Sequence, residues 1–170
     1  MHFQNIFDLL QDDQKFKDWK REFPDTYLSS AFVTFTKEMN NDWQINYYDK
    51  KTDKTTTFTI LNEEVSSIAT DETFRKPGTV IEKLNVENVK FNLADVLTKI
   101  DTFIKNEYPQ EYITKKLIVL QVVPEFGQVW NITCISMTMK ALNIKVDTLT
   151  GEITHHKLTN LLDFRSEEHF

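Results

Sequence analysis

Residues 19–35 read WKREFPDTYLSSAFVTF, and residues 104–120 read IKNEYPQEYITKKLIVL. At an offset of 85, Lys20 falls on Lys105, Glu22 on Glu107, Phe23 on Tyr108, Pro24 on Pro109 and Tyr27 on Tyr112. Apolar Phe32, Val33 and Phe35 fall on Leu117, Ile118 and Leu120. The likeness resumes where Trp43-Gln-Ile-Asn meets Trp130-Asn-Ile-Thr at offset 87, as if one turn had gained two residues. Self-similarity at a fixed spacing is the signature of a repeated structural unit, so a fold of two like halves is expected.

Each half shows the same sequence of periodicities. Phe3, Ile6, Phe7, Leu10, Phe16 and Trp19 recur at helical spacing among Asp and Lys residues, which predicts an amphipathic helix broken near Gln11-Asp12. Pro24 ends it, because the residue before a proline avoids the helical region. Tyr27–Thr36, Trp43–Tyr48 and Thr55–Leu61 then alternate as half-buried strands. They are separated by polar turns at Glu38–Asp42 and Lys50–Lys54, giving an antiparallel meander. In the second half Asn92 is a candidate N-cap with Asp95 as its partner. Leu93, Val96, Leu97, Ile100, Phe103 and Ile104 form the apolar stripe that follows. Strands are expected at Lys116–Val123, Gln128–Ser136, Ala141–Asp147 and Ile153–Leu158. Between the halves, Asn62–Val65 suggests a short helical turn, Arg75-Lys-Pro-Gly78 a turn, and Leu84–Val89 a short edge strand.

The expected fold class is therefore α+β: two similar helix-plus-antiparallel-meander halves, helices packed on curved antiparallel sheets. Residues 1–61 form the first half, 62–90 the connection, 91–164 the second half and 165–170 a tail. The halves either share one sheet or meet through a helix–sheet interface.

The stretch Leu142-Asn-Ile-Lys-Val-Asp147-Thr-Leu-Thr-Gly151-Glu152-Ile153 resembles the end of a PepSY domain, where a strand runs into an Asp-x-x-x-Gly-Glu-Ile hairpin. The helix opening at Phe91–Asp95 and the strand carrying Trp130 stand in the same order. The likeness covers 91–157. It reaches 7–61 only through the internal repeat, and Thr57-Phe-Thr-Ile-Leu61 replaces the Asp-to-Gly-Glu hairpin there. The resemblance implies a small cystatin-like unit of helix on curved sheet, mostly non-catalytic, with inhibition or protein binding as the usual role.

Net charge is −6, and basic residues occur only as scattered doublets such as Lys50-Lys51 and Lys115-Lys116. That distribution lacks the basic face of a nucleic-acid binder. No segment approaches the length of apolar chain that spans a bilayer, and the N-terminal residues carry no secretory signal, so cytoplasmic residence is the expectation. Cys134 is the only cysteine, which excludes an intrachain disulfide.

Residues with chemical potential do not form a reactive set. His155 and His156 are adjacent on a strand and point to opposite faces, so they make a poor metal pair. Cys134 sits on the face of Trp130 and reads as a buried structural thiol. Glu63-Glu64 and Glu167-Glu168 read as solvated charge. Asn131-Ile-Thr133 fits a glycosylation pattern but lies within an expected strand. Trp43 and Trp130 read as core, packed in the same way under each helix. The candidate binding surface is Phe126, an expected exposed turn residue, together with Thr55, Thr57 and Thr59. The last three lie in a polar, β-prone run from Thr52 that would serve as an edge accepting a partner strand.

The function expected is a non-enzymatic binding or regulatory protein that recognises a protein or peptide, without cofactor or metal, as a monomer or homodimer. The alternative is a small-ligand protein or enzyme with a pocket between sheet and helix, lined by Tyr47, Tyr112, Cys134 or Asn131.

Overall fold

A computed structural model describes residues 3–36, 42–75 and 78–161. The expected turns at Glu38–Asp42 and Arg75–Gly78 lie partly outside these residues, as do His2, Leu162–Phe164 and the tail with Glu167, Glu168 and His169. The elements run α1 (Phe3–Asp12), α2 (Gln14–Glu22), β1 (Tyr27–Thr36), β2 (Trp43–Asp49), β3 (Lys54–Leu61) and β4 (Glu64–Glu72). A 3-10 turn (Val86–Asn88), α3 (Leu93–Glu107), β5 (Ile113–Val123), β6 (Gly127–Ser136), β7 (Lys140–Asp147) and β8 (Ile153–Asn160) follow. Each half is thus helix followed by a four-stranded meander, and the halves share one sheet. Its order is β4-β3-β2-β1-β5-β6-β7-β8, antiparallel throughout.

The repeat at offset 85 is realised in detail where helix meets strand. α2 and α3 end on the counterparts Glu22 and Glu107. The caps Phe23 (φ −119°, ψ 64°) and Tyr108 (φ −131°, ψ 52°) share one conformation. Their N–H groups bond to the carbonyls of Trp19 and Ile104 at 2.9 and 2.8 Å. Both following strands then carry a bulge, at Ser29 and at Thr114, again counterparts. Across the central β1–β5 ladder Val33 stands opposite Ile118, its own counterpart, so the pseudo-twofold axis passes through that pair.

The tryptophans depart from the expected symmetry. Trp43 stands opposite Val33, whereas Trp130 stands opposite Leu120, the counterpart of Phe35. The residue opposite Ile118 is Ile132. The spacing across the hairpin is therefore 132 − 118 = 14 residues in the second half against 43 − 33 = 10 in the first. The second hairpin is longer by four residues between these positions, and its tryptophan lies one inward position further along. Both indoles still enter the core, where Phe3 meets them with ring centroids 5.8 and 6.3 Å away. They are core residues, but they do not occupy matching positions.

One apolar cluster holds the molecule together. Phe3, Ile6 and Leu10 of α1, Phe16 of α2, and Leu93, Val96, Ile100 and Ile104 of α3 all join it. The sheet contributes alternate residues, among them Val33, Ile45, Phe58, Ile118, Ile132 and Ile144. The break in the first helix falls at Asp13. Its side chain caps α2 by accepting the Phe16 N–H at 3.0 Å, while its N–H still bonds to Leu9 and Leu10. Asn92 caps α3 through the Asp95 N–H at 3.0 Å, as its spacing predicts.

Three expectations for residues 52–89 are corrected. Asn62 and Glu63 both have positive φ (51° and 64°) and form a tight two-residue hairpin turn, so Asn62–Val65 does not start a helix. It leads into β4, a strand that occupies part of the stretch read as linker. Its apolar alternation is faint because only Val65 is buried. Leu84–Val89 is not an edge strand. Leu84 is buried in the core with its N–H on the Leu28 carbonyl at 2.9 Å, and Asn85 caps the 3-10 turn after it. Finally, β3 is paired on both sides, by β2 and β4, so the Thr52–Thr59 run is not an edge. Among the described residues the free edges are β4 and β8.

Candidate functional site

With the helices joined to the core through one set of strand positions, the alternate positions form the opposite, open face. Thr55, Thr57 and Thr59 lie there, half-buried, because Thr56, Phe58 and Ile60 point inward. Thr57 donates to Asn46 Oδ1 at 2.8 Å, and Asn46 Nδ2 donates to Ser30 Oγ at 3.0 Å, a polar chain across three strands. Thr55 pairs with Thr73 at 2.8 Å. The second half carries a similar network, in which Asn143 Nδ2 donates to Asn131 Oδ1 at 2.8 Å and Lys145 donates to Asn143 Oδ1 at 2.8 Å.

Residues 71–74 and 79–82 border one end of this face, where a half-open recess of about 370 Å³ lies. Ser30, Asn46, Thr55, Thr57 and Gln121 contribute polar groups to its lining. Phe74, Val80, Ile81, Val122 and Pro124 are its apolar walls. Its charged lining residues are Asp71, Glu72 and Glu82, all acidic. Phe74 is fully exposed and Val80 largely so. These residues escaped sequence reasoning. The available signal was Phe74, alone in a polar turn-rich segment, three residues from Pro77.

Phe126 belongs to the same face but to the other half. It is half-buried, not a free turn aromatic: Lys145 Nζ lies 4.8 Å over its ring and the His155 ring 5.1 Å away. Burial, then the Lys145 charge, holds the His155 imidazole below its ordinary value. His156 points to the helix side, with Nδ1 2.6 Å from the Tyr108 hydroxyl, so the two histidines diverge. Among the described residues no group of three or more His, Cys, Asp and Glu side chains is arranged to hold a metal ion.

The residues proposed to line a pocket between sheet and helix do not converge. Cys134 is wholly buried, and burial pushes its thiol up to about 12, which leaves no thiolate for nucleophilic attack at neutral pH. Tyr47 borders a cleft of about 710 Å³ on the helix side, accepts a bond from Gln11 at 3.1 Å, and is pushed up to about 12 by burial. Tyr112 is 71% exposed at the far end of the sheet, and Asn131 lies on the open face. A second helix-side cleft, about 530 Å³, lies among Ile6, Phe35, Trp43, Leu93 and Leu97.

The Asp147–Gly151 hairpin is tightly tied. The Asp147 carboxylate accepts the N–H groups of Leu149 and Thr150 at 2.8 and 2.7 Å, and Gly151 returns its N–H to the Asp147 carbonyl at 2.9 Å. Lys99 of α3 donates to the Gly151 carbonyl, which fixes helix to hairpin. The Phe91 ring lies close against the glycine, in the space a Cβ would need.

No protein-family model and no curated protein matches the chain. Among solved structures, the fold is similar to that of a protein provisionally described as a lipoprotein from Clostridium difficile 630. The match has a TM-score of 0.55 at 13% identity and covers 89% of this chain and 98% of that one. At this identity the likeness concerns the fold alone. No helix among the described residues is long and apolar enough to cross a membrane.

Proposed function

We propose that this chain is a non-enzymatic binding protein of PepSY-like type, recognising a protein or peptide through the open face of its sheet. The observation that carries this reading is the cavity of about 370 Å³ beside Thr55 and Thr57, walled by the exposed Phe74 and Val80. A recess with polar groups and apolar rims suits recognition of a side chain. The inaccessible Cys134 and the divergent histidines add to it, since neither supplies an activated nucleophile. The tied Asp147–Gly151 hairpin against α3 supports the PepSY-like resemblance.

The test compares pull-downs by the wild-type chain and a Phe74→Ala/Val80→Ser variant, whose changes touch only exposed residues. Partners recovered by the wild type and lost by the variant support the reading; equal recovery, or no reproducible partner, counts against it. The same cavity favours a second reading, a small polar ligand held by Asn46, Thr57 and Gln121. A rise in melting temperature with one member of a metabolite panel, absent in Asn46→Leu, would identify that case.

A further inference from the structure

The two edges of the sheet are defended unequally. β8 carries Lys157 in mid-strand, and charge at such a position discourages pairing with another chain. β4 is guarded at its start and, against strands of like charge, by Asp71 and Glu72 at its end, which leaves Ser67–Thr70 without charge. A bulge at Ser66 interrupts its ladder, and Lys15 Nζ lies 3.4 Å from the Val65 carbonyl. From Ser67 to Glu72 the strand is exposed, unbroken and free of proline and lysine. Its open-face side chains are small, Ser67 and Ala69 standing opposite Thr59 and Thr57. Asp71 follows on the same face, opposite Thr55 and lining the cavity. Glu72 stands opposite Lys54 and also lines the cavity, as does Glu82.

We propose that Ser67–Glu72 is a strand-addition site for an extended peptide segment bearing lysine or arginine at one end. The inference rests on the reading that the protein binds polypeptide, and it names the partner's chemistry. Main-chain bonds to the unpaired edge supply affinity, and small residues at 67 and 69 leave room for the partner's side chains on the open face. The cation meets Asp71 at the mouth of a cavity whose charged lining residues are all acidic. The same carboxylates oppose a second copy of β4 in antiparallel register, which would bring Glu64 near Glu72.

The experiment is fluorescence anisotropy with the full chain and a labelled octapeptide of alternating Thr and Val ending in two lysines. Saturable binding is expected. A peptide ending in two glutamates should bind at least about tenfold more weakly, as like charge then meets Asp71. A version N-methylated at every backbone nitrogen should not bind, which tests the edge without altering the protein. Asp71→Asn should weaken the lysine peptide severalfold and leave the glutamate peptide no weaker; Ala69→Lys should abolish binding. Absence of saturation by the lysine peptide overturns the proposal. So does equal binding of the glutamate or N-methylated peptide. If the peptide fails while a partner sensitive to Phe74→Ala/Val80→Ser is still captured, the edge proposal falls and the broader reading stands. If both fail, both fall.

Discussion

At Gly151 the backbone φ is +71°, and a Cβ placed there would lie 2.7 Å from the Phe91 ring. Both facts demand glycine, one through conformation and one through space. Gly151→Ala is expected to destabilise the fold by about 1–3 kcal/mol, measured by urea denaturation. This residue was legible, because an Asp-x-x-x-Gly turn has its own chemistry. Glu111 was not, since its partner Lys140 lies far along the chain. Its carboxylate receives Lys140 at 2.6 Å and Thr138 at 2.7 Å, and these bonds hold it down to about 2 from an ordinary 4.5. A carboxyl lowered on folding adds stability above its unfolded value and loses it as pH falls toward its folded value. Glu111→Gln should therefore lower stability at neutral pH by about 1 kcal/mol, with Lys140 partly solvated. The gap between wild type and variant should close from about pH 5 toward about pH 2, followed by urea midpoints across that range.

Among the elements, the helices were the most readable and β4 the least. Helix periodicity survives even where the chain breaks, because Phe16 and Trp19 continue the apolar stripe beyond Asp13. Asp13→Ala removes the cap of α2 and should cost about 1 kcal/mol, seen as a lower midpoint with little change in far-ultraviolet circular dichroism. β4 was hidden because a strand with both faces exposed shows no alternation of apolar and polar residues. The turn before it was misread for a related reason: Asn62-Glu63-Glu64 favours either a helix start or a left-handed hairpin, and pairing with β3 selects the hairpin. The threonine row was rightly placed on a polar strand face but wrongly placed at an edge.

For the molecule as a whole, one continuous sheet joins the two halves through β1 and β5, and α1 covers the join. Phe3 touches Trp43 from one half and Trp130 from the other. The halves should consequently unfold together, with tryptophan fluorescence and far-ultraviolet circular dichroism tracing one transition. Phe3→Ala should lower stability by about 3–5 kcal/mol and keep the two signals coincident. Separate transitions would show that each half stands alone.

From its residues alone the chain determined two helix-plus-meander halves, the Asn92 cap, the Asp147–Gly151 turn and the inward set of apolar side chains. These follow from local periodicity and turn chemistry, which act over a few residues. Tertiary structure decided that β1 pairs with β5, which strands are edges, where each tryptophan sits in register and which face stays open. Those outcomes depend on pairing between distant segments, and identical alternation is compatible with several partners and registers until backbone hydrogen bonds and core packing select one.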